Sequence, residues 1–186
     1  MGSARLPGKV MRLINGFPVI EILLRRLNLS SEIDQILVAT SIEPQNITLK
    51  NHVTGLGFEC EVGSEDDVLS RVYHAAKRHQ SDIVIRITGD CPFVDAGLVD
   101  SLIREFKTSD VDYCSNVAPA SYPDGMDVEV FSFSALEQTF LSATAAFDKE
   151  HVTPYIRTSG MFRTKNILFA KDLSDLRWTL DEINDF

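Results

Sequence analysis

A chain of 186 residues, 44% hydrophobic and 24% charged, can bury a sizeable core and has the composition of an ordinary soluble domain. Its formal net charge of −9 excludes a broad basic surface for a nucleic-acid backbone, so no nucleic-acid partner is expected; a small anion needs only a local cluster of Arg, Lys and backbone N–H groups. The cysteines, Cys60, Cys91 and Cys114, lack zinc-site spacing, no apolar run is long enough for membrane insertion, and nothing resembles a signal peptide, so a reducing cytoplasm is the expected location.

Residues 1–10 (MGSARLPGKV) combine glycine, proline and basic residues with little to bury, and read as a loop. Over 17–29, Ile20, Leu23, Leu24 and Leu27 recur at helical spacing with Arg25 and Arg26 on the wet side, which predicts an amphipathic helix. Residues 35–40 (QILVAT) read as a short buried strand. A second helix follows, ending near Gly55 and Gly57, and then a strand over 58–62. A helix over 66–78 buries Leu69, Val72, Tyr73 and Ala76 and carries Lys77 and Arg78 at its negative end. Ile83, Val84, Ile85 and Ile87 form a β-branched apolar run that stops at Gly89, with Asp90, Cys91 and Pro92 directly after it. A helix over 97–107 comes next, then strands over 112–116 and 127–133 with a turn at 122–125 before the second. Helices over 134–141 and 149–158 and strands over 163–169 and 176–180 complete the order. Alternating strands and helices predict an α/β fold with a mixed, mostly parallel sheet and helices on both faces; the later strand pair suggests an antiparallel portion.

Asp90 stands just past the carboxyl end of a buried strand, where open α/β sheets bind ligands, and a carboxylate there suits a hard cation such as Mg²⁺. Taken alone, Asp90 with Pro92 reads more readily as a cap for the next helix, and the rest of the chain has to decide. The stretch GSARLPGK offers a glycine-rich backbone with Arg5 and Lys9 for phosphate, although Val10 stands where a Walker A loop needs Ser or Thr. Asp90, Asp124, Asp127, Glu129 and Asp181 are of the type that coordinates metal or binds sugar hydroxyls. Glu150-His151 has no second His at metal-ligand spacing, no hydrolase elbow is present, and nothing in the sequence activates Cys91 as a nucleophile. Asp110-Val111-Asp112 matches the Asp-x-Asp pattern of metal-dependent glycosyltransferases, but it precedes a strand and reads as its polar lead-in.

The strings GSARLPGK, GSEDDVLSR, RITGDCPFVD, SYPDGMDVEVFS, KEHVTPYIR and LRWTLDE resemble, in order and spacing, the cytidylyltransferases of the spore-coat polysaccharide biosynthesis type, relatives of the acylneuraminate and 3-deoxy-manno-octulosonate enzymes. The resemblance covers essentially the whole chain. It implies a Rossmann-like nucleotidyltransferase fold and transfer of CMP from CTP to an acidic or otherwise activated sugar, with release of pyrophosphate, for surface polysaccharide. Mg²⁺ is the implied cofactor, held by Asp90 and Asp181, and Lys9, Arg5 and Asp90 are the implied catalytic residues. The nucleotide is expected against Gly2, Ser3, Arg5, Leu6, Gly8, Lys9, Thr40, Ser41, Arg71, Arg86, Thr88 and Gly89. Tyr122, Asp124, Asp127, Glu129, Glu150 and His151 are expected to face the sugar, and a homodimer is an expected assembly. The family's first strand, central in its sheet and ending in Gln-Ala-Arg, and its C-terminal helix are not in this sequence. The expectation is therefore one domain over 1–186, truncated at both ends, with a gap or a substitute segment in the sheet. A non-catalytic nucleotide-sugar binding module and a metal-dependent glycosyltransferase are the alternative readings.

Overall fold

The computed structural model describes residues 6–186. A 3₁₀ turn at Lys9–Met11 leads into a hairpin of β1 (Leu13–Ile14) and β2 (Phe17–Pro18), whose Asn15-Gly16 turn has φ values of 50° and 86°. Left-handed pairs of this kind are what an Asn-Gly turn supplies. Because the hairpin takes Phe17 and Pro18, α1 begins at Val19 and runs Val19–Leu27. Then follow β3 (Leu37–Ser41), α2 (Ile47–Gly55), β4 (Glu59–Gly63), α3 (Val68–Arg78), β5 (Ile83–Arg86) and α4 (Ala96–Thr108). Asp67 caps α3 by accepting from the Ser70 N–H at 2.8 Å, and Asp95 caps α4 by accepting from the Leu98 N–H at 3.1 Å. The cap of α4 is thus Asp95, which leaves the Asp90 carboxylate for other partners.

The second half runs β6 (Tyr113–Ser115), β7 (Glu129–Ser132), α5 (Phe133–Ser142), α6 (Ala146–His151), α7 (Pro154–Thr158) and β8 (Thr164–Asn166). Two expectations are corrected. The helix read over 149–158 is two helices, because Val152 has φ 72° and Pro154 starts a new turn. The strand read over 176–180 is an extended tether: it bonds to loop residues, with the Asp124 N–H donating to Leu176 O at 2.9 Å and the Leu180 N–H to Asp90 O at 2.9 Å.

Helices and strands alternate as an α/β fold requires, with a mixed sheet. β3 and β4 pair in parallel, as do β6 and β8, whereas β7 runs antiparallel to both β5 and β6. The larger sheet has the order β5-β7-β6-β8. β7 returns beside β6 through a loop with no crossover helix, so that pairing is antiparallel, as the later strand pair suggests from the sequence. Between β3 and β5 lies a cavity of about 880 Å³, walled by residues of both strands, including Val38, Ala39, Ile83 and Ile85.

Successive strand side chains leave on opposite faces, and the core follows that rule. Ile83, Ile85, Cys114 and Val130 pack with Ile20 and Leu24 of α1, Val53 of α2 and Leu102 of α4. Their strand neighbours Val84, Tyr113 and Phe131 pack on the other side with Leu69 and Tyr73 of α3, Leu136 of α5 and Ile156 of α7. Helices therefore cover both faces.

The loop before β3 is fastened to α4 by one buried acid. Asp100 accepts from the Ser31 N–H at 3.0 Å, the Ser31 hydroxyl at 2.6 Å, the Glu32 N–H at 3.3 Å and the Ser30 hydroxyl. Burial alone pushes its carboxyl up, but the Ser30 and Ser31 bonds overcome that and hold it at about 2. Asp100→Ala leaves these donors unpaired and should cost about 2–3 kcal/mol. Because the folded value is depressed, the Asp100 contribution is complete above its unfolded value and is lost as pH falls from about 4 to 2. Urea titrations of both proteins should show a gap at pH 7 that closes by pH 2; an equal gap at both pH values would exclude the ionised carboxylate as its source.

Candidate active site

The 3₁₀ turn at Lys9–Met11, the loop after β5 and the tether at 176–181 converge on one ammonium group. Lys9 Nζ donates to Asp90 Oδ2 at 2.5 Å and to Asp181 Oδ1 at 2.6 Å. All three side chains are mostly buried, with 15%, 21% and 14% of their surface exposed for Lys9, Asp90 and Asp181. Burial acts against the charge on Lys9, yet Asp181 and Asp90 outweigh it and raise its pKa; burial likewise acts against the Asp90 charge, and Lys9 holds that carboxyl below its ordinary value. The local sequence sets these positions. Gly8, at φ 70°, turns the chain so that Lys9 faces inward. A side chain at Gly125 (φ 98°) would meet Thr179 N at 2.5 Å, so only glycine there lets the 176–180 tether lie close enough to present Asp181.

Two carboxylate oxygens within 2.6 Å of one cation make a donor set that also suits Mg²⁺, which commonly takes one or two carboxylates and completes its shell with water and phosphate oxygens. No larger cluster of metal-ligating side chains occurs among the described residues. Gly2, Ser3 and Arg5 lie outside the described residues. Leu6 is buried, and its carbonyl accepts the Lys9 N–H at 3.2 Å. Thr40 and Ser41 end β3 and line the large cavity along with Lys9, Arg71, Thr88 and Gly89. Ser41 is bound by the Asn46 amide. Arg71 donates to Ser64 O at 2.5 Å, and burial lowers its pKa.

The residues expected to face a sugar separate. Arg86, Thr88, Asp127, Glu129 and His151 line a second cavity of about 400 Å³, and Arg86, Thr88 and His151 also line the first. Glu129 is buried and fully engaged: Oε1 accepts from Tyr113 at 2.6 Å and Thr153 at 2.5 Å, while Oε2 pairs with Arg86. Asp127, by contrast, accepts no hydrogen bond from the described residues. Burial, followed by the charges of Asp124 and Glu129, pushes it up to about 6. Glu150 lines only the first cavity. Asp124 turns outward to Arg177 at 2.8 Å, and Tyr122 packs against Phe169 with ring centroids 5.0 Å apart; neither lines either cavity.

Some residues of the site carry no local signal. Arg177 contacts Asp124, Asp181 and Asp185, and Thr153 and Arg157 line the second cavity; all stand within the quoted strings, but no spacing marks them. Cys91 is buried and its thiol is pushed up to about 12, chiefly by burial, so it is no nucleophile. Asp110 and Asp112 both pair with Arg163, away from both cavities, in keeping with a polar lead-in to β6.

Residues 1–183 match the family model described as cytidylyltransferase. The spore coat polysaccharide biosynthesis protein SpsF of Bacillus subtilis is 30% identical over 203 residues, covering 100% of this chain and 80% of that protein. The 3-deoxy-manno-octulosonate cytidylyltransferase 2 of Hydrogenovibrio crunogenus is 29% identical over 136 residues, covering 70% of this chain and 53% of that one. A solved cytidylyltransferase structure from Leptospira borgpetersenii serovar Hardjo-bovis superposes with a TM-score of 0.94 at 29% identity, covering 100% of this chain and 79% of that one.

Asp127 gives a stability signature opposite to that of Asp100. Its folded pKa of about 6 lies above the ordinary 3.8, so its charge costs stability as pH rises through that interval, and the full cost is present above it. After allowance for partial exposure, Asp127→Asn should stabilise the fold by about 1–2 kcal/mol at pH 8 and leave it unchanged at pH 4. Thermal unfolding at the two pH values checks this; a loss of stability at pH 8 would contradict the strained carboxylate.

Proposed function

The chain belongs to the cytidylyltransferase family, and we propose that it transfers CMP from CTP to a hydroxyl of an acidic sugar, releasing pyrophosphate, in the synthesis of a surface polysaccharide. The observation that carries this reading is the Lys9–Asp90–Asp181 cluster at the mouth of the cavity beside the carboxyl ends of β3 and β5. Open α/β sheets bind their ligands at that edge. No helix of the described residues is long and apolar enough to cross a membrane. Cys60, Cys91 and Cys114 are free thiols, which fits a reducing cytoplasm.

The reaction is an in-line displacement at the α-phosphorus, in which charge builds on the oxygen that bridges to pyrophosphate. Positioning and cation contacts supply most of the catalysis in such a step. Lys9, on the short turn after Gly8, is the cation within reach of the phosphates, and Arg5 and the Gly2–Ser3 backbone, carried just ahead of it, are the assigned clamp on the triphosphate. Thr40 and Ser41, at the end of β3, are assigned to the base and ribose. Arg71 and Arg86, with Thr88 and Gly89, border the same cavity; Arg71 adds positive charge and the Thr88–Gly89 backbone adds donors beside the nucleotide, while Arg86, paired with Glu129, lines the wall. Asp90 and Asp181 are the residues that would hold Mg²⁺, which, when bound, neutralises negative charge on the triphosphate and on the departing pyrophosphate. Glu129 keeps Arg86 oriented by ion pairing, so its part on the sugar side is to hold the wall rather than to touch the ligand.

Two variants test the reading. Pyrophosphate release from CTP, Mg²⁺ and a panel of sugar acids should fall at least a hundredfold in Asp90→Asn; equal release would remove Asp90 from the mechanism. Lys9→Met should lower release comparably. It should also raise Mn²⁺ affinity in the absence of nucleotide about tenfold, because the two carboxylates lose the ammonium that now neutralises them. Unchanged Mn²⁺ binding in Lys9→Met would show that the pair is not the metal site.

A further inference from the structure

Asp181 belongs to no helix or strand, so something else must fix the direction of its carboxylate. Arg177, four positions earlier on the tether, lines neither cavity, yet its guanidinium reaches three acids. Nη1 donates to Asp124 Oδ2 at 2.8 Å, Nε and Nη2 donate to the two oxygens of Asp185 at 3.2 Å each, and Nη2 lies 3.8 Å from Asp181 Oδ2. Asp185 passes the constraint on: its Oδ2 accepts the Asp181 and Glu182 N–H groups, both at 2.7 Å, around the 3₁₀ turn at Ile183–Asp185. The backbone on either side of Arg177 is pinned as well. The Asp124 N–H donates to Leu176 O at 2.9 Å, and the Asp124 carbonyl accepts the Trp178 N–H at 2.6 Å. The Arg177 side chain is 43% exposed, where a single ion pair is worth little. A planar fork on both oxygens of one acid, joined to a second acid and through the first to two backbone N–H groups, is a network whose geometry matters more than its charge.

We propose that Arg177, acting with Asp185, is a positioning residue that fixes the aim of the Asp181 carboxylate at the cation site it shares with Asp90. This rests on the cytidylyl-transfer reading above. Asp181 Oδ1 faces Lys9 at 2.6 Å and Oδ2 faces Arg177, so the carboxylate is oriented through both oxygens. In the reaction Lys9 turns to phosphate, and the Arg177–Asp185 frame is what then keeps Asp181 beside Asp90. Removing a group that orients a metal-binding side chain changes metal affinity by about 10–100-fold. Charge alone predicts the opposite sign. Lys9 and Arg177 are both cations beside Asp181, so the loss of either would raise metal affinity if they acted only as competing charges. Positioning separates them: affinity rises in Lys9→Met and falls when Arg177 is changed. Lysine at 177 keeps the charge, but one ammonium on a flexible stem cannot hold Asp124 and both oxygens of Asp185 in a plane, so Arg177→Lys falls with Arg177→Gln.

The experiment counts free Mn²⁺ by electron paramagnetic resonance, without nucleotide, in wild type, Arg177→Lys, Arg177→Gln and Asp185→Asn, each checked for cooperative thermal unfolding. All three variants are expected to bind Mn²⁺ about tenfold more weakly or worse. In metal-free protein, amide hydrogen exchange is expected to quicken about tenfold or more at Asp181 and Glu182 and to stay within about twofold along β7. In pyrophosphate release from CTP and a panel of sugar acids, the Mn²⁺ concentration for half-maximal rate is expected to rise about tenfold. At saturating Mn²⁺, kcat is expected to return to within about threefold of wild type, a split that a general loss of folding would not produce. Three results would each overturn the assignment while leaving cytidylyl transfer standing. They are Mn²⁺ binding by Arg177→Lys equal to or tighter than wild type, unchanged exchange at Asp181 and Glu182, and a fall in kcat that saturating Mn²⁺ does not restore. Wild type that binds Mn²⁺ but releases no pyrophosphate with any sugar acid would overturn the cytidylyl-transfer reading, and the binding and exchange results would still judge Arg177.

Discussion

The site depends on one ammonium group shared by two carboxylates. Lys9 is separated from Asp90 by 81 positions and from Asp181 by 172, and the three meet only because the first turn, the end of β5 and the last extended segment converge. Two carboxylate oxygens at 2.5 and 2.6 Å from one nitrogen lie no more than about 5 Å apart and repel by roughly 3 kcal/mol or more at an effective dielectric constant of 20, so a cation between them is a condition for both to stay ionised in a mostly buried place. Before nucleotide arrives the cation is Lys9. In the proposed reaction, metal and phosphate share the neutralisation, and the same three side chains serve both states.

A second constraint shapes the neighbouring cavity. Glu129 occupies β7, the central partner of both β5 and β6, and it accepts from Tyr113 of β6, from Thr153 at the start of α7 and from Arg86 of β5. One buried acid thereby fixes three elements and removes Arg86 from the pool of free cations. Asp127 stays half-buried beside that pair with no hydrogen bond from a described residue, whereas Arg157 is exposed to solvent.

Much of this was legible from residues alone. Helical spacing located α1, α3 and α4, and β-branched runs located β3 and β5, because periodicity reports which face of an element is buried. The candidate acids and Lys9 could be named from the strings that carry the family resemblance. Other features could not be reached. Asp90 and Asp95 are both short acids near the start of α4, and only the backbone path makes Asp95 the cap. The break at Val152 is a left-handed residue with no glycine to announce it. The 176–180 segment has strand-like composition, but its partners are the loops at Asp124 and Asp90, so it never joins the sheet.

The sequence by itself determined the α/β class, the order of the main helices and strands up to α5, the family and the naming of Lys9, Asp90 and Asp181 as candidates, since these depend on local pattern and on residue type in recognisable strings. Tertiary structure alone decided which charges neutralise one another: Lys9 with two distant acids, Arg86 with Glu129, and Asp127 and Arg157 with none of the described residues. The physical reason is that charge compensation and desolvation depend on distance in space. A sequence states which groups can carry charge, and only the packed chain states which of them are left with charge for a ligand to meet.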